Sequence, residues 1–436
     1  MSLAQVLKLR RDRLARLIDF PVILWSGGAL ARNFPANTYP FRASSHFLYF
    51  AGLHLENSAI RLYEGNLELF LNPMPSSSLL WHGALPSPQE IAELIGADRL
   101  YPMNVLPLHA TGAATIPVQD VKTYQKQILT LDRSIPSGSQ LAGLDRELAA
   151  ALVSLRLSHD TAALTEIRRA AAVTTEAHAI ARQQLPAAKT EAEVRAIIES
   201  TFIAANMGCA YPSIVTTHGE ILHNNRYDHE LHPGDLLLID AGAETETGWA
   251  SDVTRTWPVS GQFSASQQAI HDIVLAAHDR CVAKVAPGVE YQEIHMEAAL
   301  VIAAGLVDLK ILRGQPAELV QMDAHTLFFP HGIGHLLGLD VHDMEDLGDL
   351  AGYAPGRARS DRPGLKFLRL HRPLQPGMVV TIEPGFYRIP ALLQSFPYPE
   401  LINWDKLAQF NDVRGIRIEN DILVTETGHE NLTASQ

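Results

Sequence analysis

An α+β fold in two domains follows from three observations on this chain. Its 436 residues exceed one domain of ordinary size. Roughly the first 150 residues alternate short β-like runs with helical ones. Beyond about residue 158, an Ala/Glu/Arg-rich helical stretch gives way to strands punctuated by glycines. We therefore expect a smaller α/β domain over 1–158 and a larger catalytic-sized domain over 159–436.

In the first domain the residues from Met1 to Asp19 carry Lys8, Arg10, Arg11, Arg13 and Arg16 among leucines, the pattern of an amphipathic surface helix. Pro21–Trp25, His46–Phe50, Ser58–Tyr63 and Leu67–Leu71 read as strands. Ser87–Gly96 and Val118–Leu131 read as helices, and Pro73–Ser78 is a Pro/Ser-rich break. In the second domain Ala162–Gln184 is a long helix stopped by Pro186. Glu191–Asn206 is a second helix, with Thr190 as its N-cap. Leu236–Ala241, Trp249–Pro258, Val379–Glu383 and Gly415–Val424 are strands, with helices at Ser266–Val285 and Tyr291–Ala304 between them.

Composition removes several function classes. With 48 Asp+Glu against 35 Lys+Arg the net charge is −13, which argues against a nucleic-acid partner because phosphates need clustered cations. Two cysteines, Cys209 and Cys281, build neither a disulfide framework nor a thiolate zinc site. No segment reads as a secretory signal or a membrane span, so a cytoplasmic protein is expected. Histidine is abundant, at 19.

The chemistry begins with two aspartates flanking a polar turn. If Leu236–Ala241 and the segment through Asp252 form a hairpin centred on Glu246, Asp240 and Asp252 stand opposite one another. Carboxylates so placed repel unless a proton or a cation lies between them. A different register would leave both in solvent. Glu383 and Glu419 each stand at the end of an apolar strand in a Gly-bounded β segment, and alternation puts Arg417 and Glu419 on one face. Finally, Pro330–Asp343 packs His331, His335 and His342 among three glycines, residues that let backbone approach a site closely.

Asp240, Asp252, His335, Glu383 and Glu419, in this order and these contexts, resemble the five dimetal ligands of the pita-bread metallopeptidases. That superfamily holds methionine aminopeptidases, Xaa-Pro aminopeptidases and prolidases. The motifs span 218–424. Tyr39–Arg42 and Phe47–Gly52 also resemble the smaller, creatinase-N-like domain of the proline-specific branch. The resemblance implies a pita-bread catalytic domain binding two divalent ions. Four carboxylates and one imidazole suit Mn²⁺, with Zn²⁺ or Co²⁺ possible. It implies that Asp252 and Glu419 bridge the ions, that Asp240 chelates one, and that His335 and Glu383 hold the other. Glu383 would also shuttle the proton. His223 and His342 match pocket positions that steady the scissile carbonyl. His331 matches a histidine beside the ligands or in the pocket, and Arg417 an arginine beside Glu419. Two departures stand out: Asn224 replaces a usual tyrosine, and the Asp240–Asp252 loop is one residue longer.

Within that superfamily, Arg369 lies where the prolidase pattern places an arginine for the C-terminal carboxylate of a dipeptide. The resemblance therefore points to hydrolysis of Xaa-Pro dipeptides. The alternative is an Xaa-Pro aminopeptidase acting on longer peptides, and more remotely a metal-free binding module. The expected partner is a small peptide with proline second. Trp81, in a Trp-x-Gly, matches a residue that reaches a partner subunit's site, so a homodimer, or a tetramer, is expected.

Overall fold

The computed structural model describes residues 1–75 and 78–434, so part of the Pro73–Ser78 break lies outside the described residues. The chain divides into two compact units. One comprises Met1–Leu157 with the short segment Met344–Ala351, and the other Ser158–Asp343 with Gly352–Gln436.

The first unit is built on a four-stranded sheet in the order β1 (Val22–Trp25), β2 (Ala59–Tyr63), β3 (Asn66–Phe70), β4 (Arg99–Tyr101). β1–β2–β3 pair antiparallel, and β4 joins β3 in parallel. Ile23, Trp25, Ala59 and Phe70 pack against Leu106, Ala113 and Val118 to form a core. Two readings from sequence need correction. The run His46–Phe50 is not a strand but part of the helix Ser45–Ala51, every residue of which is buried, stopped by Gly52 at φ 66°. A short apolar run has the same pattern in either structure, and the glycine was its helix-end signal. The helix Leu3–Ala15 is less of a surface element than its charges imply. Arg10 and Arg11 are buried; Arg10 donates to the Tyr49 carbonyl (2.9 Å), Arg11 to those of Ile95 (3.2 Å) and Gly96 (2.8 Å).

In the second unit the helices Thr161–Gln184 and Glu191–Ala204 cover one layer of strands, with Ala177, Ala181, Val194, Ile198 and Phe202 packed on Val215, Leu237 and Ile239. Short strands β5 (Gly208–Cys209) and β8 (Ala243–Glu244) pair. β6 (Ile214–Thr216), β7 (Leu236–Asp240) and β9 (Thr254–Pro258) form an antiparallel sheet in that order. The helices Ala265–Lys284 and Tyr291–Asp308 match the two expected there.

The remaining strands form one antiparallel ribbon with a break. β10 (Val379–Ile382) pairs with β13 (Asn420–Val424), which continues to β14 (His429–Asn431); β11 (Gly385–Tyr387) pairs with β12 (Gly415–Arg417). Ile382 faces Asn420, and Gly385 faces Arg417. The register is the same on both sides of the break, so Glu383 and Glu419 stand opposite one another within it. What the sequence presents as a single strand from Gly415 to Val424 is therefore two, belonging to different sheets, and Glu419 occupies the joint.

Candidate metal centre

The aspartate hairpin forms with a register other than the one expected. Asp240 pairs with Thr254, not with Asp252, and Leu236 with Pro258. The same register persists outward, with Glu244 opposite Ala250, so the turn is centred on Thr247. Only Thr254–Pro258 of the expected strand is regular. Gly242 presses so closely on the other arm that a Cβ there would lie 1.7 Å from the Ser251 carbonyl. The shift relative to expectation is two residues, which preserves the side-chain face. Both aspartates consequently still converge: the Tyr211 hydroxyl meets Asp240 Oδ1 at 2.6 Å and also contacts Asp252 Oδ1.

The histidine segment runs beside β10. Thr381 N–H donates to the His335 carbonyl (3.0 Å), and Glu383 N–H to that of Ile333 (2.8 Å). Gly334 makes this approach feasible, since a Cβ there would lie 2.2 Å from the Thr381 carbonyl oxygen. His335 Nε2 ends 3.4 Å from Asp252 Oδ2 and 3.8 Å from Glu383 Oε1. Its Nδ1 lies 3.0 Å from the Leu336 carbonyl, an acceptor that places the proton there and leaves Nε2 a lone pair for a cation. Ligand atoms of Asp252, His335 and Glu419 all lie within 4.8 Å of one another, and all three residues are buried.

Asp240, Asp252, His335, Glu383 and Glu419 thus line one cavity of about 920 Å³. The same cavity is lined by His223, His331, His342, Arg369 and Arg417. Trp81 is not among the lining residues; it is 76% exposed on the helix Ser78–His82. Asn224 does not line the cavity: it is buried and donates to Thr216 Oγ1 (2.9 Å), while its neighbour Asn225 faces the cavity.

Electrostatics test whether these residues fit two cations. Burial, followed by repulsion from Asp240, pushes Asp252 well above the usual carboxylate range. Burial and Glu419 do the same to Glu383, and burial and Asp252 to Glu419. Such a cluster is stable as carboxylates only with positive charge among them. Arg417 supplies part of it. Its guanidinium donates to Asp240 Oδ2 (2.5 Å), Thr254 Oγ1 (3.1 Å) and the Tyr387 hydroxyl (2.9 Å). Against the cost of burial, Tyr387 and Asp240 hold it well above its ordinary value. Arg369 also acts on Glu383, but two cations against four carboxylates still leave a deficit that divalent ions fit, and the oxygen-rich donor set suits them.

Sequence reading missed several supporting residues. Tyr211 comes from an irregular segment and carried no signal. Thr254 Oγ1 donates to Glu419 Oε2 (2.6 Å) and ties the two ribbons together. Buried Asp421 accepts from Ser251 Oγ (2.7 Å) behind Asp252, and burial pushes it up to about 7. The Tyr387 hydroxyl meets His331 Nε2 at 2.8 Å, and His331 is drawn down to about 3 by burial and Arg417. Alternation from Glu419 to Asp421, and from Glu383 to Tyr387, was a usable signal for two of these.

Carboxylates and a histidine gathered where antiparallel ribbons break define a metal-dependent hydrolase. The chain belongs to metallopeptidase family M24, whose model matches residues 165–426; residues 7–115 match the aminopeptidase P N-terminal domain. It is 33% identical over 418 residues to a probable Xaa-Pro aminopeptidase of Ajellomyces capsulatus, covering 91% of this chain and 85% of that one. Among solved structures, aminopeptidase P from Escherichia coli with the inhibitor Pro-Leu superposes with a TM-score of 0.81 at 28% identity, over 100% of this chain and 95% of that one. Pseudomonas aeruginosa aminopeptidase PepP gives the same TM-score and identity over 99% and 95%. The fold is thus the pita-bread domain preceded by the smaller N-terminal domain. Among the described residues, no helix is long and apolar enough to cross a membrane.

Proposed function

We propose that this protein is an Xaa-Pro aminopeptidase, releasing the first residue from tripeptides and longer chains with proline second. The observation that carries the reading is the convergence of Asp240, Asp252, His335, Glu383 and Glu419 in one cavity. Relatives named as Xaa-Pro aminopeptidases match along 91% of the chain and support the choice of substrate class. They favour it over the dipeptidase to which Arg369 pointed. Arg369 does line the cavity, half-buried, which keeps the dipeptidase as the second reading.

In this reading the five residues hold two divalent ions, Mn²⁺ by donor chemistry, with Zn²⁺ or Co²⁺ able to replace it. Zinc is present in a substituted E. coli aminopeptidase P with product. When bound, the ions supply Lewis acidity and an activated water. The chain supplies the rest. Tyr211 and Arg417 hold Asp240 in orientation, and Thr254 holds Glu419. Glu383, the most exposed of the carboxylates at 17%, carries the proton from the water to the leaving proline nitrogen. His223 and His342 steady the carbonyl oxygen as charge develops on it. His331, held by Tyr387, fixes the substrate from the other side. Trp81 serves a partner subunit in a homodimer.

The test is a substrate-length series at fixed Mn²⁺: Ala-Pro, Ala-Pro-Ala, and Ala-Pro with a blocked C-terminus. Turnover of the tripeptide and of the blocked dipeptide at rates at least equal to Ala-Pro is expected. Cleavage of Ala-Pro alone, lost in Arg369→Ala, would establish the dipeptidase instead. Absence of metal uptake by calorimetry would end both readings in favour of a binding module.

A further inference from the structure

The segment between β6 and β7 carries His223 to the cavity without any helix or strand across residues 217–229. A loop of that length holds a side chain in place only where its own backbone is tied down. Its tip is pinned by Leu222, packed on Ile214, Leu238 and Tyr387, and by the bond from Asn224 to Thr216. Its two ends meet on one residue. Glu191, the first residue of the helix Glu191–Ala204, is completely buried. Glu191 Oε1 accepts from Thr217 N–H (2.7 Å) and Thr217 Oγ1 (3.1 Å) at the start of the loop. Glu191 Oε2 lies 2.9 Å from His229 Nδ1 at its end, and Glu191 N–H donates to the His229 carbonyl (3.1 Å).

A buried carboxyl group is costly unless its oxygens are satisfied, and among the described residues Thr217 and His229 of this one loop satisfy them. The helix has its own N-cap in Thr190, whose hydroxyl accepts from Glu193 N–H (3.2 Å), so neither Glu191 carboxylate oxygen is needed as a cap. The Glu191 carboxylate is thus turned to the loop and not to the capping of its own helix, and the sequence reading took it only as a helix start. We propose that Glu191 is a positioning residue: it closes the base of the 217–229 loop and thereby sets His223 over the metal centre. The proposal rests on the peptidase reading for its catalytic consequence and on the loop geometry alone for its structural one.

The test is a double-mutant cycle on Glu191 and His223, with hydrogen–deuterium exchange alongside. Wild-type protein loaded with Mn²⁺ is first assayed on Ala-Pro-Ala; no turnover there rejects the peptidase reading and leaves the exchange data to decide the clamp. Glu191→Ala is expected to lower kcat at least tenfold with metal content unchanged, and to speed exchange across 217–229 but not in β7. Glu191→Gln, which can accept from Thr217 and donate to the other tautomer of His229, is expected to recover most of the loss. In the His223→Ala background, Glu191→Ala is expected to cost less than twofold more. Unchanged exchange across 217–229 in Glu191→Ala, or losses that multiply fully in the double variant, overturns the proposal.

Discussion

Two groups of buried or part-buried histidines sit close together in this molecule, and only one of them belongs to the candidate centre. His331 and His335 face Glu383 and Asp252 at 3.4–3.8 Å. His295 and His325 lie behind them, linked ring to ring through Phe329, which is 5.5 Å from His295 and 4.9 Å from His331. His325 is fully buried, and neither of its ring nitrogens has a hydrogen-bond partner among the described residues. Burial brings His295 to about 4 and His325 to about 3, as low as His331. A depressed histidine therefore does not mark a site in this protein. The carboxylates around it do, because they supply the negative charge that a cation balances.

The same substitution in the two groups should separate them most sharply. His335→Leu, like Asp252→Asn, is expected to abolish both metal uptake and peptide hydrolysis, read by metal analysis of the purified protein and by the tripeptide assay. Retained metal with full activity in either variant would dissolve the distinction. Glu383→Gln should come next, losing about 10²–10⁴-fold in kcat through the missing proton carrier. A loss confined to KM would show that Glu383 binds substrate without moving a proton.

His325→Leu should leave the kinetics unchanged and act on stability alone. The folded protein refuses a proton that the unfolded chain accepts below its ordinary value of 6.5. Stability from this group is complete above that pH and is lost progressively as pH falls toward 3. Between pH 7 and pH 5 the wild type should lose about 2 kcal/mol on account of this one residue. Urea unfolding of His325→Leu at the two pH values should show that loss removed. An identical loss in the variant would assign the acid sensitivity to other groups.

Much of the candidate centre was legible because ligand chemistry demands particular side chains in particular local settings. The two glutamates at strand ends and the glycines around His335 are features of the chain itself. Gly334 in particular is where backbone must pass within contact distance of Thr381. The aspartate pairing was legible only by face. A slip of two residues keeps side chains on the same side, so convergence survived an incorrect register. Arg10 and Arg11 were read as surface charges because burial of a guanidinium depends on carbonyls far along the chain, at Tyr49, Ile95 and Gly96.

By itself, then, the sequence determined the secondary-structure periodicities, the identity of the acidic and histidine donors, and their order. Those are properties of residue type and local spacing. Only the tertiary structure decided that Glu383 and Glu419 face each other across a break in one ribbon, that Tyr211 joins Asp240 to Asp252, and that Glu191 closes the loop bearing His223. Each of these depends on strand register and on contacts between distant segments, which are set by the packing of the whole unit and leave no local pattern in the chain.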